Sequence, residues 1–201
     1  MTRHNEHGRT PRQLLDSLPR LVAKALLAIS LVMRLCTASS DRPSDGSDVA
    51  ARVKAAFVYN FARFIEWPQP NSKESVKIVV VGQGGGLAAP LEEIIRGKTV
   101  GGRSLEVTRA ASGTPIPRCD ILLIERSERR HVKEIVQSLA GKPALTVCDD
   151  PDCLKEGAII AFQLVDESVR FQINQEAAEH AGLKVSSQLL KVALPSPGSQ
   201  K

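Results

Sequence analysis

Residues 49–194 predict an α/β domain: one layered unit with a mostly parallel central sheet, an antiparallel hairpin at its edge and helices on both faces. Three observations carry this. Segments of strand character alternate with segments of helical period. Three strand segments, "VKIVVVG", "CDILLIE" and "PALTVCD", are continuous apolar runs, as expected of parallel strands buried on both faces. A fourth segment, "GAIIAFQLVDESVRFQIN", reads as two strands turning near 166–168.

The elements follow in order. "VAARVKAAFVYNFARFIEW" predicts a helix over 49–66. Ser47 or Asp48 caps its start by accepting a backbone N–H. Pro68 stops it, because the residue before a proline avoids helical angles. Val53, Phe57, Phe61, Phe64 and Ile65 recur at helical spacing and form the core face. Three of the chain's five Phe, its only Tyr and its only Trp fall in this stretch. Tyr59 and Trp67 lie off the core face, so with Arg63 they are candidates for contact with a protein partner. Strands are expected over 76–82, around 105–108, over 119–125 and over 143–149. "LAAPLEEIIRG" predicts a helix with Gly97 just past its end. "SERRHVKEIVQSLAG" predicts another, with Ser127 as cap and Gly141 as stop. After the hairpin, Asn174 caps "QEAAEHAG", which Gly182 ends, and a last short helix covers 186–193. From 195 to 201 the composition predicts a disordered tail.

The first forty residues follow another pattern. Arg3, Arg9, Arg12, Arg20 and Lys24 precede a short apolar run, "ALLAISLVM", and small residues, "CTASS", follow it. That layout predicts a cleaved secretory signal peptide over 1–38 and a polar linker over 39–48. The run is too short to span a bilayer as a helix, which takes about 20 apolar residues. Cys36 follows "MRL", which lacks the small residue that a lipid-attachment site wants. The leader also carries the chain's basicity. It holds six basic and two acidic residues, hence +4 of the formal +5, and leaves the mature chain near +1. No basic stripe with interleaved aromatics remains, which argues against nucleic acid as a partner. Export from the cytosol is the expected fate.

Chemistry-bearing motifs are few. "GQGGG", Gly82 to Gly86, stands between a strand and a helix, where a phosphate-cradling loop would sit. It lacks the third glycine of a dinucleotide fingerprint and the Lys-Ser/Thr of a P-loop, so it reads as a turn, with an anion site as the alternative. There is no G-x-S-x-G, and His131 and His180 lie on helices among charged residues. Nothing nominates a catalytic residue, a metal ligand set or a cofactor.

"CDDPDC" brings Cys148 and Cys153 close along the chain. In an exported protein thiols pair, so a structural disulfide is the expectation. A zinc site would need two more ligands, and a redox C-x-x-C two intervening residues where four stand. Cys119 has no evident mate and is expected to stay buried and reduced.

Several segments together resemble a known family. "KAAFVYNFARFIEWP", "GKTVGGRSLEV", "CDILLIERSE", "LTVCDDPDCLKEGAIIAF" and "VRFQINQEAAEHAGLKVSSQLLKVA" occur in that order. They are similar to segments of the YfiR-like periplasmic proteins across about residues 50–193. The resemblance implies a non-catalytic periplasmic repressor of an inner-membrane diguanylate cyclase, acting through the cyclase's sensor region. The output is cytoplasmic cyclic-di-GMP, and hence biofilm. It also implies relief by an OmpA-like outer-membrane lipoprotein, a homodimer, and a loop disulfide at Cys148 and Cys153. Related domains accompany sensor kinases, so a kinase is the other partner class. Some members carry a second disulfide from the first strand to the strand opened by Cys119. "KIVVVG" holds no cysteine, so that bridge is not expected here. A binding module for a nucleotide or an amino acid is the alternative function. Arg170 and Asn174 lie where a strand feeds a helix start, a natural anion site, and His180 follows one or two turns on.

Overall fold

The computed structural model describes residues 46–68, 74–84 and 86–195. The expected signal peptide, Cys36, the linker up to residue 45 and the tail beyond Pro195 lie outside them. The described residues form one compact unit.

The chain begins with helix α1 (Gly46–Phe64), then β1 (Ile65–Glu66), β2 (Val76–Val81), α2 (Ala88–Ile95), β3 (Thr99–Val100) and β4 (Arg103–Ala110). It continues through β5 (Ile121–Ile124), α3 (Val132–Ser138), β6 (Leu145–Cys148), β7 (Ile160–Val165) and β8 (Ser168–Ile173). It closes with α4 (Gln175–His180), β9 (Lys184–Val185) and α5 (Ser187–Val192). Seven strands form the main sheet in the order β3-β4-β2-β5-β6-β7-β8, and β1 pairs with β9 in a separate two-stranded ladder. Strands β4, β2, β5, β6 and β7 run parallel, while β8 and β3 are antiparallel at the two edges. The α/β class, the mostly parallel sheet and the edge hairpin agree with the sequence reading.

Both faces of the sheet are covered, which is why β2, β5 and β6 are apolar at every position but Lys77 and Thr146. Ile78, Val80, Ile121, Leu123, Leu145 and Val147 meet α1, α2, α4 and α5 on one face. Val79, Val81, Leu122, Ile124 and Cys148 meet α3 on the other. Phe57 and Phe61 of α1 pack on Phe162 of β7 and Phe171 of β8, with ring centroids 5.0–6.2 Å apart. This cluster takes four of the five Phe and fastens α1 to the hairpin edge.

Several local expectations change. Helix α1 starts at Gly46, so Ser47 and Asp48 lie inside its first turn rather than before it. It ends at Phe64, because Ile65 and Glu66 leave the helix to pair with Val185 and Lys184. Two-residue strands carry no period, so β1, β9 and β3 escaped the sequence reading. The expected helix after Ser127 is interrupted: a 3-10 turn spans Arg126–Glu128 and α3 starts only at Val132. Ser127 does not cap it; its Oγ accepts the Gln83 N–H at 2.9 Å. At the other end, Leu194 N donates to Phe171 O and Pro195 O accepts from Gln172 Nε2. The last described residues are thus tied to β8 by backbone groups, which composition does not register. The hairpin turn at Asp166 and Glu167 has φ of 48° and 60°, the paired positive angles of a type I′ turn. Asn174 caps its helix as expected, accepting from Ala177 N; Ser186, expected inside the last helix, stands before it as its cap and accepts from Leu189 N.

Candidate interaction site

The C-terminal half of α1 presents the partner-binding candidates. Ala55, Val58, Phe61 and Ala62 face the core, which leaves Tyr59 and Arg63 on the flank, one helical turn apart. The Arg63 guanidinium carbon stands 5.9 Å from the Tyr59 ring centroid and 5.7 Å from that of Phe64. Lys98, just past α2, brings Nζ to 4.7 Å from the Tyr59 ring. Two cations therefore hold one half-buried aromatic ring at the surface. Trp67 follows β1, so the ladder Ile65↔Val185 and Glu66↔Lys184 sets its place. It is half-buried, and its Nε1 has no hydrogen-bond partner among the described residues. Tyr59 and Arg63 come together; no ring contact joins Trp67 to either.

The proposed ligand residues are placed separately. Asn174 Oδ1 is engaged by Ala177 N at 3.0 Å as the cap of α4. Arg170 is exposed on β8, where Val169, Phe171 and Ile173 take the core face. His180 closes α4, about 9 Å along the axis from Asn174 at 1.5 Å per residue. There it lines a groove of about 320 Å³ with Lys142, Ala144, Ala177 and Ala181. No hydrogen bond or ion pair links the three residues among the described ones.

Open parallel sheets bind ligands at the carboxyl ends of strands, where successive crossovers pass to opposite faces. Here that point lies between β2 and β5, since α2 and α3 cover opposite faces. The chain fills it with its own side chains. Glu125, buried, accepts the Leu87 N–H through Oε1 at 3.2 Å. Ser127 Oγ takes the Gln83 N–H. A Cβ on Gly82 would stand 2.6 Å from Glu125 Cβ and 2.8 Å from its Oε2. A fixed carboxylate thus occupies the place where a phosphate would sit, and it would repel one. The sequence hinted at the loop; its plug comes from 38 residues further on.

A second polar cluster lies beside it. Buried Glu128 accepts the Ser112 hydroxyl through Oε1, and its Oε2 lies 3.4 Å from His131 Nδ1. Here the acid stands between serine and histidine. A nucleophile triad needs the histidine between them, so His131 cannot take the proton of Ser112. Among the described residues no group of His, Cys, Asp and Glu could hold a metal ion.

Cys148 and Cys153 form a disulfide across the turn that leaves β6. Cys153 lies in the 3-10 turn Pro151–Glu156, which is capped by Asp150, whose Oδ1 accepts the Asp152 N–H at 3.1 Å. Cys119 is a free thiol, half-buried. Burial, then Asp120, push it up to about 11 from an ordinary 9.0, against an opposing pull from Lys142. At neutral pH it is protonated and unreactive.

The comparisons agree with this architecture. The family model described as YfiR/HmsC-like matches residues 51–194, which is nearly all of the described domain. The chain belongs to the YfiR/HmsC-like family. No curated protein matches it. Among solved structures it is similar to a conserved domain protein from Vibrio cholerae O1 biovar El Tor str. N16961, with TM-score 0.50 and 12 % identity. That match covers 71 % of this chain and 58 % of the Vibrio chain, and at this identity it speaks for the fold alone. Among the described residues no helix is long and apolar enough to cross a membrane.

Proposed function

We propose that this YfiR/HmsC-like chain is a non-enzymatic periplasmic regulator. It binds the periplasmic sensor region of an inner-membrane signalling protein, a diguanylate cyclase, and represses it. The observation that carries this reading is the family match across 51–194, the whole of the sheet and its helices. Two structural features support it. The crevice where α/β enzymes bind cofactors is plugged by Glu125, and the disulfide suits an oxidising compartment. Repression needs only differential affinity: the regulator binds the inactive sensor more tightly and shifts its population. Tyr59, Arg63 and Trp67 supply residue types that dominate binding energy at protein interfaces. Release by an OmpA-like lipoprotein and a homodimeric state belong to the same proposal.

The test is genetic and biochemical together. Deleting the gene raises cyclic-di-GMP, and the tagged chain co-purifies with a membrane signalling protein. Tyr59→Ala with Trp67→Ala loses both effects while the domain stays folded. An unchanged cyclic-di-GMP level with no co-purifying membrane protein overturns the reading; a co-purifying sensor kinase redirects it to that class.

The groove at His180 favours a second reading, a binding module for a nucleotide or an amino acid. Asn174 is committed to its cap and Thr146 to Ile159 N, so His180, Lys142 and Gln137 supply the groove's polar groups. Calorimetry with nucleotides and aromatic amino acids tests it; no heat at millimolar ligand retires it.

A further inference from the structure

We propose that the turn after β5 is a docking surface for an anionic phospholipid membrane. Residues 125–134 carry four bases, Arg126, Arg129, Arg130 and Lys133, and three acids, Glu125, Glu128 and Glu134. Folding separates them. Glu125 and Glu128 are only 6 % and 3 % exposed and are spent on Leu87 N and on Ser112 and His131. All four bases are exposed, with Glu134 the one exposed acid of the segment. Arg126 lies 3.8 Å from Asp150 and is partly offset. No ion pair reaches Arg129, Arg130 or Lys133 among the described residues. A segment nearly balanced in sequence therefore presents a cationic surface on a chain that is close to neutral without its first 38 residues.

The kind of partner follows from what the patch lacks. Val132 is buried, and Ser127 and His131 are the only other exposed side chains in the segment. A shaped protein interface draws its energy from desolvated aromatic or aliphatic anchors, and residues 125–134 expose none; the apolar groove beside them, lined by Ile116 and Ile135, is reached past Glu134 and not past the four bases. Lipid headgroups rearrange laterally to meet unpaired cations and need no anchor. The orientation is consistent with the proposed regulator. Lys54, midway along α1, ties it to Asp149 at the carboxyl end of β6, and Ile65 past its end pairs with Val185, so α1 carries Tyr59 and Arg63 away from the basic turn. Docking by the turn leaves that aromatic surface open to a protein.

This inference rests on the exported reading, but its test contains no signalling protein and so stands apart from the cyclic-di-GMP result. The chain, in the form that cells accumulate, is sedimented with phosphatidylcholine vesicles with and without phosphatidylglycerol. Binding is expected only with phosphatidylglycerol and falls with added salt. Each reversed base should weaken it roughly fivefold or more, so Arg129→Glu with Arg130→Glu loses well over tenfold. Unchanged unfolding midpoints show that this variant folds. Equal binding by the variant, or no binding to phosphatidylglycerol at low salt, overturns the proposal. Binding to polyglutamate but not to vesicles also overturns it and assigns the patch to an acidic protein.

Discussion

Lys54 Nζ lies 2.6 Å from Asp149 Oδ1, and this ion pair fastens α1 to the residue beside the disulfide. The two side chains are 14 % and 19 % exposed, so water screens them weakly. Removing one partner leaves a mostly buried charge without its counterion. Lys54→Met is therefore expected to cost about 1–3 kcal/mol in urea unfolding. Lys54→Met with Asp149→Asn together should cost less than the sum of the two. A coupling below about 0.5 kcal/mol would place the pair with ordinary surface bridges and reject this account.

The disulfide closes a loop only five residues apart in sequence. So short a loop restricts the unfolded chain little, and the chain-entropy model gives about 2 kcal/mol. Cys148→Ser with Cys153→Ser should lower Tm by about 4–8 °C and leave the far-UV spectrum unchanged. Loss of the fold would instead make the bridge a condition of folding.

Most of the sheet could be read from the residues, because β2, β5 and β6 bury both faces and so announce themselves as apolar runs. The hairpin was marked by its polar turn, and the cap at Asn174 by residue type. What could not be read are features made by distant partners. Ile65 has the period of α1 yet becomes a strand, since pairing with Val185 outweighs local preference. Ser127 looks like a cap, but its hydroxyl is claimed by Gln83, 44 residues back. The candidate site divides in the same way. Tyr59 and Arg63 meet because a helix places i and i+4 together, which the sequence states. Lys98 over Tyr59 is a tertiary contact, and Arg170 and His180 show that closeness in sequence does not make a site.

Gly82 has φ of 145°, which L side chains rarely adopt, and its missing Cβ leaves room for Glu125. Gly82→Ala is expected to destabilise by about 2–4 kcal/mol, through strain and displacement of the carboxylate from Leu87 N. Glu125→Gln keeps the size and loses the charge-assisted acceptor, so it should cost less, about 1–2 kcal/mol. Thermal unfolding of both variants checks the order. A harmless Gly82→Ala would mean that the carboxylate does not sit against this turn.

Cys119 makes stability depend on pH at the alkaline end. Burial favours its neutral thiol, so the folded chain holds this proton more tightly than the unfolded chain does. The stabilisation is fully present below the ordinary value of 9.0 and is lost as pH rises through about 11. Wild type should therefore lose stability across that window relative to Cys119→Ala, whose alanine does not titrate. Subtracting the two urea profiles removes lysine and tyrosine titrations common to both. Reactivity offers a second readout: iodoacetamide should label Cys119 slowly in the native chain at mildly alkaline pH and quickly in urea. Parallel pH profiles, with fast native labelling, would show an exposed thiol of ordinary acidity.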